Sequence, residues 1–182
     1  MFGAQYFYVA AVVVGFIAGW LDWRSGHIPN WLTLGPLLAA PLVHAIVGYT
    51  QAGHNAAVHA LLFSILGAFA CGAVPLLLYR LGAIGGGDVK LLAAIGALCM
   101  TSVGVECEFY AFIAAALYAP GRLAFEGKLL STLGNTVSLV INPFLPKARR
   151  KEIAPEMLTE LRFGPAVAVG ALIGVFLNWR GV

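Results

Sequence analysis

Six stretches of this chain stay apolar for close to the length of a bilayer crossing, running approximately over Phe2–Leu21, Trp31–Tyr49, Val58–Leu81, Val89–Val105, Cys107–Phe125 and Phe163–Trp179. Roughly 30 Å of hydrocarbon, climbed at about 1.5 Å per residue, requires a helix of about 20 residues. In lipid only a helix or a closed barrel satisfies its own backbone hydrogen bonds. A soluble fold is excluded by supply: 60% of the 182 residues are hydrophobic and 10% are charged, with a mean hydropathy of +0.88, too little polar surface to cover a domain. The runs predict an all-α, polytopic membrane protein with six transmembrane helices in one bundle. The whole of residues 1–182 is expected to form a single membrane-embedded domain, with one longer cytoplasmic loop at about 126–162.

The net charge of +3 is too small and too scattered to suggest a nucleic-acid partner; it bears on orientation instead. Arg24 falls in the first predicted loop, Arg80 and Lys90 flank the third, and Arg122, Lys128, Lys147, Arg149, Arg150, Lys151 and Arg162 fill the fifth. The second and fourth loops have none. By the positive-inside rule the odd loops are cytoplasmic and both termini face outward, with Arg180 the exception. The first 23 residues hold no Lys or Arg, so the start does not read as a removable secretory signal. Leu129–Ile141 is too polar for a crossing and reads as a segment along the membrane surface, with the basic cluster Lys147, Arg149, Arg150 and Lys151 as a solvated anchor near lipid headgroups.

Cys71, Cys99 and Cys107 are odd in number and show no paired spacing, which fits small core residues rather than a zinc knuckle or disulfide framework. The four histidines lack an i,i+4 pair, so no metal site is expected. Gly15–Gly19 and Gly170–Gly174 carry the small-residue spacing that lets helices pack closely. Pro36, Pro41 and Pro75 are candidate kinks in the second and third runs.

The chemistry points to the only two aspartates, Asp22 and Asp88, each placed where an apolar run meets a polar loop. A carboxylate beside hydrocarbon is costly to keep charged. Alone, Asp88 reads as an N-cap ahead of Val89-Lys90-Leu91-Leu92, but capping does not account for Gly85-Gly86-Gly87 before it. Three glycines admit close backbone approach to a ligand or a positive φ. No Gly-Lys-Ser or Gly-Lys-Thr follows, which excludes a phosphate loop. Asp22 ends the first run, where the helix dipole disfavours negative charge. After it, Pro29 fixes φ and Asn30 is placed to cap the helix beginning near Trp31, a turn expected to hold Asp22 against the third loop.

An aspartate a few residues ahead of Ile28-Pro29-Asn30-Trp31-Leu32-Thr33, paired with Gly85-Gly86-Gly87-Asp88-Val89-Lys90, resembles the type IV prepilin peptidases and their G-x-G-D box; Phe163-Gly164-Pro165-Ala166-Val167-Ala168-Val169-Gly170 is similar to that family's last span. The resemblance implies that Asp22 and Asp88 are the catalytic pair and that Gly85, Gly87 and Lys90 match the box, with Gly86, Pro29 and Asn30 as supporting or substrate-binding residues. It implies a bacterial inner-membrane location and, as partner, the helix of a prepilin or pseudopilin whose short basic leader is cut at the cytoplasmic face. Membrane lipid and pilus assembly machinery are the further partners. The paired-cysteine methyltransferase segment of long members is absent, so the chain looks like the short peptidases of Tad or Flp pili.

Peptide hydrolysis by two carboxylates needs one ionised to activate water and one protonated to polarise the scissile carbonyl, with no cofactor or metal required. The proton then belongs to the pair, so acid and base are not assigned individually. Lys90 reads either as easing the charge cost or as a snorkelling lysine. The main alternative is a small proton- or ion-coupled transporter, against which stands the placement of every charged residue at or near the end of a run. A non-catalytic scaffold does not explain the aspartates, and a presenilin-type protease lacks its Pro-Ala-Leu motif here.

Overall fold

The computed structural model describes residues 3–125 and 162–179; the expected loop at 126–162, its surface segment and its basic cluster lie outside them but for Arg162. The chain divides into two compact units, residues 1–115 with 162–182, and residues 116–161. Of the second unit only the end of one helix is described; the core and both aspartates belong to the first.

The described residues are all-α. They form α1 (Ala4–Ser25), α2 (Asn30–Arg80), α3 (Gly86–Phe125) and α4 (Gly164–Asn178). This corrects the expectation of six transmembrane helices: among the described residues there are four helices, and three of them, α1, α2 and α3, are long and apolar enough to cross a membrane. The 15 residues of α4 fall short of that length. The second and third apolar runs share α2, and the fourth and fifth share α3, each pair joined across an internal kink rather than by a loop.

α2 and α3 each contain such a break. In α2, Ala52 and Gly53 leave helical geometry, Gly53 at φ +78°, and the helix folds back so that a Cβ on Gly48 would meet the Ala56 carbonyl oxygen at 2.8 Å. Glycine is needed at 53 for that left-handed turn. In α3 the break is Met100, a non-glycine residue at φ +58°. Neither break falls at Pro36, Pro41 or Pro75, which lie inside α2.

A helix that stops leaves its last carbonyls without intrahelical donors, and α2 supplies side chains at the Met100 break. Ser64 Oγ donates to the Ala97 carbonyl at 2.7 Å, and His44 Nε2–H donates to the Leu98 carbonyl at 3.0 Å, both buried. The His44 ring stacks on Phe7 of α1 with centroids 3.5 Å apart. Small residues bring the backbones together, as the spacing predicts. A Cβ on Gly15 or Gly19 would touch α4 at Ala168 or at the Gly164 carbonyl, and one on Gly174 would strike Cys107 of α3.

The core lies where α1, α3 and α4 meet, around Leu91, Leu92, Ile95, Ala171 and Val167. All three cysteines are buried and free. The outward residues include Leu38, Phe69, Leu77 and Phe176, an apolar exterior suited to lipid. A run end is not always a helix end. Glu108, at the start of the fifth apolar run, lies well within α3, is 6% exposed, and has an Oε1 without a hydrogen-bond partner.

Candidate functional site

α1 ends at Gly26, whose φ of +67° lets its N–H close onto the Asp22 carbonyl at 2.8 Å. Four residues later the chain starts α2, with Pro29 at φ −63° as its N-cap. Asn30 is the first residue of that helix and makes no side-chain cap, which corrects its expected role. Its Oδ1 accepts a hydrogen bond from Lys90 Nζ at 3.0 Å, tying the α1–α2 turn to the start of α3. Ile28 strengthens the tie: it is buried, and a Cβ on Gly87 would lie 3.2 Å from its own Cβ.

The glycines ahead of Asp88 therefore serve close approach. None of Gly85, Gly86 and Gly87 has a positive φ; Gly87 makes room for Ile28, and Gly86 lies against the Tyr79 ring. Asp88 is not an N-cap but the third residue of α3. It reaches back, its Oδ2 accepting the Gly85 N–H at 3.1 Å, as the acidic member of a capping box does. That contact occupies one oxygen, while Oδ1 is buried without a partner.

Asp22 and Asp88 line one cavity of about 260 Å³, together with Gly26, His27, Ile28, Asn30, Gly85, Gly86, Gly87 and Lys90. Each is only 7% exposed, although each belongs to the last or first turn of its helix. Of the site residues expected from sequence, Asp22, Asp88, the three glycines, Asn30 and Lys90 are thus brought together; Pro29 shapes the turn without lining the cavity. Exposed Trp20, Trp23, Trp31 and Tyr79 stand on the same end of the helices. Amphipathic rings of this kind favour a membrane–water interface. Among the described residues, no group of three His, Cys, Asp or Glu is arranged to hold a metal ion.

One member of the site has no signature in the sequence as a ligand of the carboxylates. The backbone N–H of Gly164, the first residue of α4, donates to Asp22 Oδ2 at 2.9 Å in a buried contact. Phe163, its N-cap, is buried against Phe112 of α3 at a centroid distance of 5.4 Å, which fixes where α4 begins. The Phe163-Gly164-Pro165 run is visible as a helix start, but a main-chain donor is common to every residue except proline and points nowhere until the chain is folded.

No curated protein and no solved structure matches the chain. The type IV leader peptidase family does, over residues 9–120. That segment is more than half of the protein and takes in both aspartates, the turn after α1 and the glycine box, so the chain belongs to the type IV leader peptidase family.

Proposed function

We propose that this protein is a membrane aspartyl endopeptidase that removes the short leader of type IV prepilins or pilin-like proteins, with Asp22 and Asp88 activating water together. The observation that carries the reading is the shared cavity: two buried carboxylates, from helices joined only through the whole of α2, line one small, partly apolar hollow, which the exposed tryptophans around it suit to a bilayer rim. A site there meets both halves of such a substrate, since the basic leader stays in water while the apolar helix lies in lipid. Lys90 and the glycine box border the cavity where an extended peptide would enter, and glycines leave its backbone room to approach. The basic loops support a cytoplasmic location for this rim, in the inner membrane, with both termini outside. No cofactor or metal enters the mechanism, and a pilin helix and the surrounding lipid are the partners.

The chemistry needs one carboxylate ionised and one protonated. Two acids in one partly apolar cavity favour that state, because a second negative charge is opposed by repulsion and by lost hydration. The test is cleavage of a prepilin with a basic leader by the purified, reconstituted chain. Asp22→Asn and Asp88→Asn are each expected to abolish leader removal, by about 1,000-fold or more, while accumulating in membranes as the wild type does. Near-normal processing by either variant would end the two-carboxylate scheme.

A further inference from the structure

The start of α4 lies outside the residues matched to the family, and the contact it makes is with a side chain 142 positions earlier. We propose that Gly164 is a positioning residue: its backbone N–H, with the neighbouring Arg162 charge, holds Asp22 as the ionised member of the pair and leaves Asp88 as the protonated one. This deepens the peptidase reading, on which it rests, by saying which acid does which work.

Two features separate the aspartates. Asp22 Oδ2 takes the Gly164 N–H at the positive end of a 15-residue helix, and the Arg162 guanidinium acts on the same carboxylate. These offset the carbonyls of the last turn of α1, which by themselves disfavour charge at Asp22. Asp88 also has a helix N-terminus, being in the first turn of α3 with Gly85 N–H on Oδ2. Its Oδ1, however, is buried and has no donor. An anionic oxygen in that position is costly, whereas a protonated one carries its own hydrogen and can present it to the cavity. The other titratable groups lining the cavity are His27 and Lys90, and Lys90 Nζ is engaged with Asn30.

Glycine is needed at 164 for space. A Cβ there would lie 2.7 Å from Asp22 Cβ and 2.9 Å from Oδ2, so any side chain pushes the carboxylate out of place. In the resulting mechanism, a water oxygen bonds to the scissile carbonyl carbon as Asp22 takes a water proton and Asp88 gives its proton to the carbonyl oxygen. Collapse of the tetrahedral diol returns one hydroxyl proton to Asp88 and breaks the C–N bond. The proton on Asp22 passes to the leaving amine, and both acids are restored.

The experiment is steady-state cleavage of the same prepilin by the full chain in lipid. Gly164→Ala is expected to lower kcat about 100-fold with KM within about twofold of wild type, as displacement of a catalytic group does. Arg162→Gln is expected to move the acidic limb of the kcat/KM profile up by about half a pH unit, and Arg162→Lys to restore it. A packing role alone would leave that limb in place. Full kcat in Gly164→Ala, or an unmoved limb in Arg162→Gln, overturns the inference; should Gly164→Ala fail to accumulate, the Arg162 pair decides. Asp22→Asn and Asp88→Asn are run in parallel. Activity in either sinks the peptidase reading itself, whereas their inactivity beside a fully active Gly164→Ala sinks only the positioning role.

Discussion

Lys90 Nζ and Asn30 Oδ1 meet at 3.0 Å, a hydrogen bond that fastens the first turn of α3 to the first residue of α2. With Ile28 packed on Gly87, it closes one side of the cavity that holds the two aspartates. Local turn chemistry and long-range packing therefore act on the same few residues.

Gly87 tests the closeness of that packing. A methyl at 87 would sit 3.2 Å from Ile28 Cβ, so Gly87→Ala asks for a shift of tenths of an ångström, whereas Gly87→Val drives the turn away. Leader cleavage is expected to fall only about threefold in the first and about 100-fold in the second. Adding Ile28→Ala to Gly87→Val should recover part of the loss, read as kcat in the same assay.

His44 bonds the Leu98 carbonyl beside the Met100 break and stacks on Phe7, far along α1 from Asp22. His44→Ala leaves a buried acceptor without its donor and is expected to cost about 1–3 kcal/mol of stability. Thermal unfolding in detergent should register the loss. Activity per folded molecule at low temperature should remain at the wild-type level.

Glu108 separates the peptidase reading from transport. It is the buried acid that a proton-coupled cycle would use, and it lies by Cys71 and Cys107, away from the cavity. Glu108→Gln is expected to leave prepilin cleavage within about twofold of wild type, since no reacting atom is near it. Loss of cleavage in this variant, with normal accumulation, would move the chemistry into the interior of the bundle.

The placement of the rim can be read by labelling. All three native cysteines are buried, so single exposed cysteines report with little background. Ser25→Cys and Leu81→Cys are expected to react with a membrane-impermeant maleimide from the cytoplasmic side, and Gln51→Cys from the opposite side. Reaction of Ser25→Cys and Leu81→Cys from different sides would separate the two flanks of the site.

The two acids, the glycine box and the turn after α1 were legible because each is a local pattern: a charged residue at the end of an apolar run, and glycines where a side chain would obstruct. The helix count was not. The polar stretch after Tyr49 does hold a turn, at Ala52–Gly53, but α2 runs through it; the break in α3 falls at Met100 and not at Glu106–Glu108, where Glu106 Oε2 accepts a hydrogen bond from Asn178 at 2.6 Å. Polarity locates where water or a partner must be found, and in a bundle the partner is often another helix.

By itself the sequence determined that the chain is helical and membrane-embedded, and it singled out two aspartates as the candidate site, because hydropathy and residue type are written position by position. Only the tertiary structure decided what each acid meets. The N–H of Gly164 reaches Asp22 through the packing of α1 on α4, and the free oxygen of Asp88 follows from a back-bond three residues long. A main-chain donor has no letter of its own, so its partner exists only once the helices have closed together.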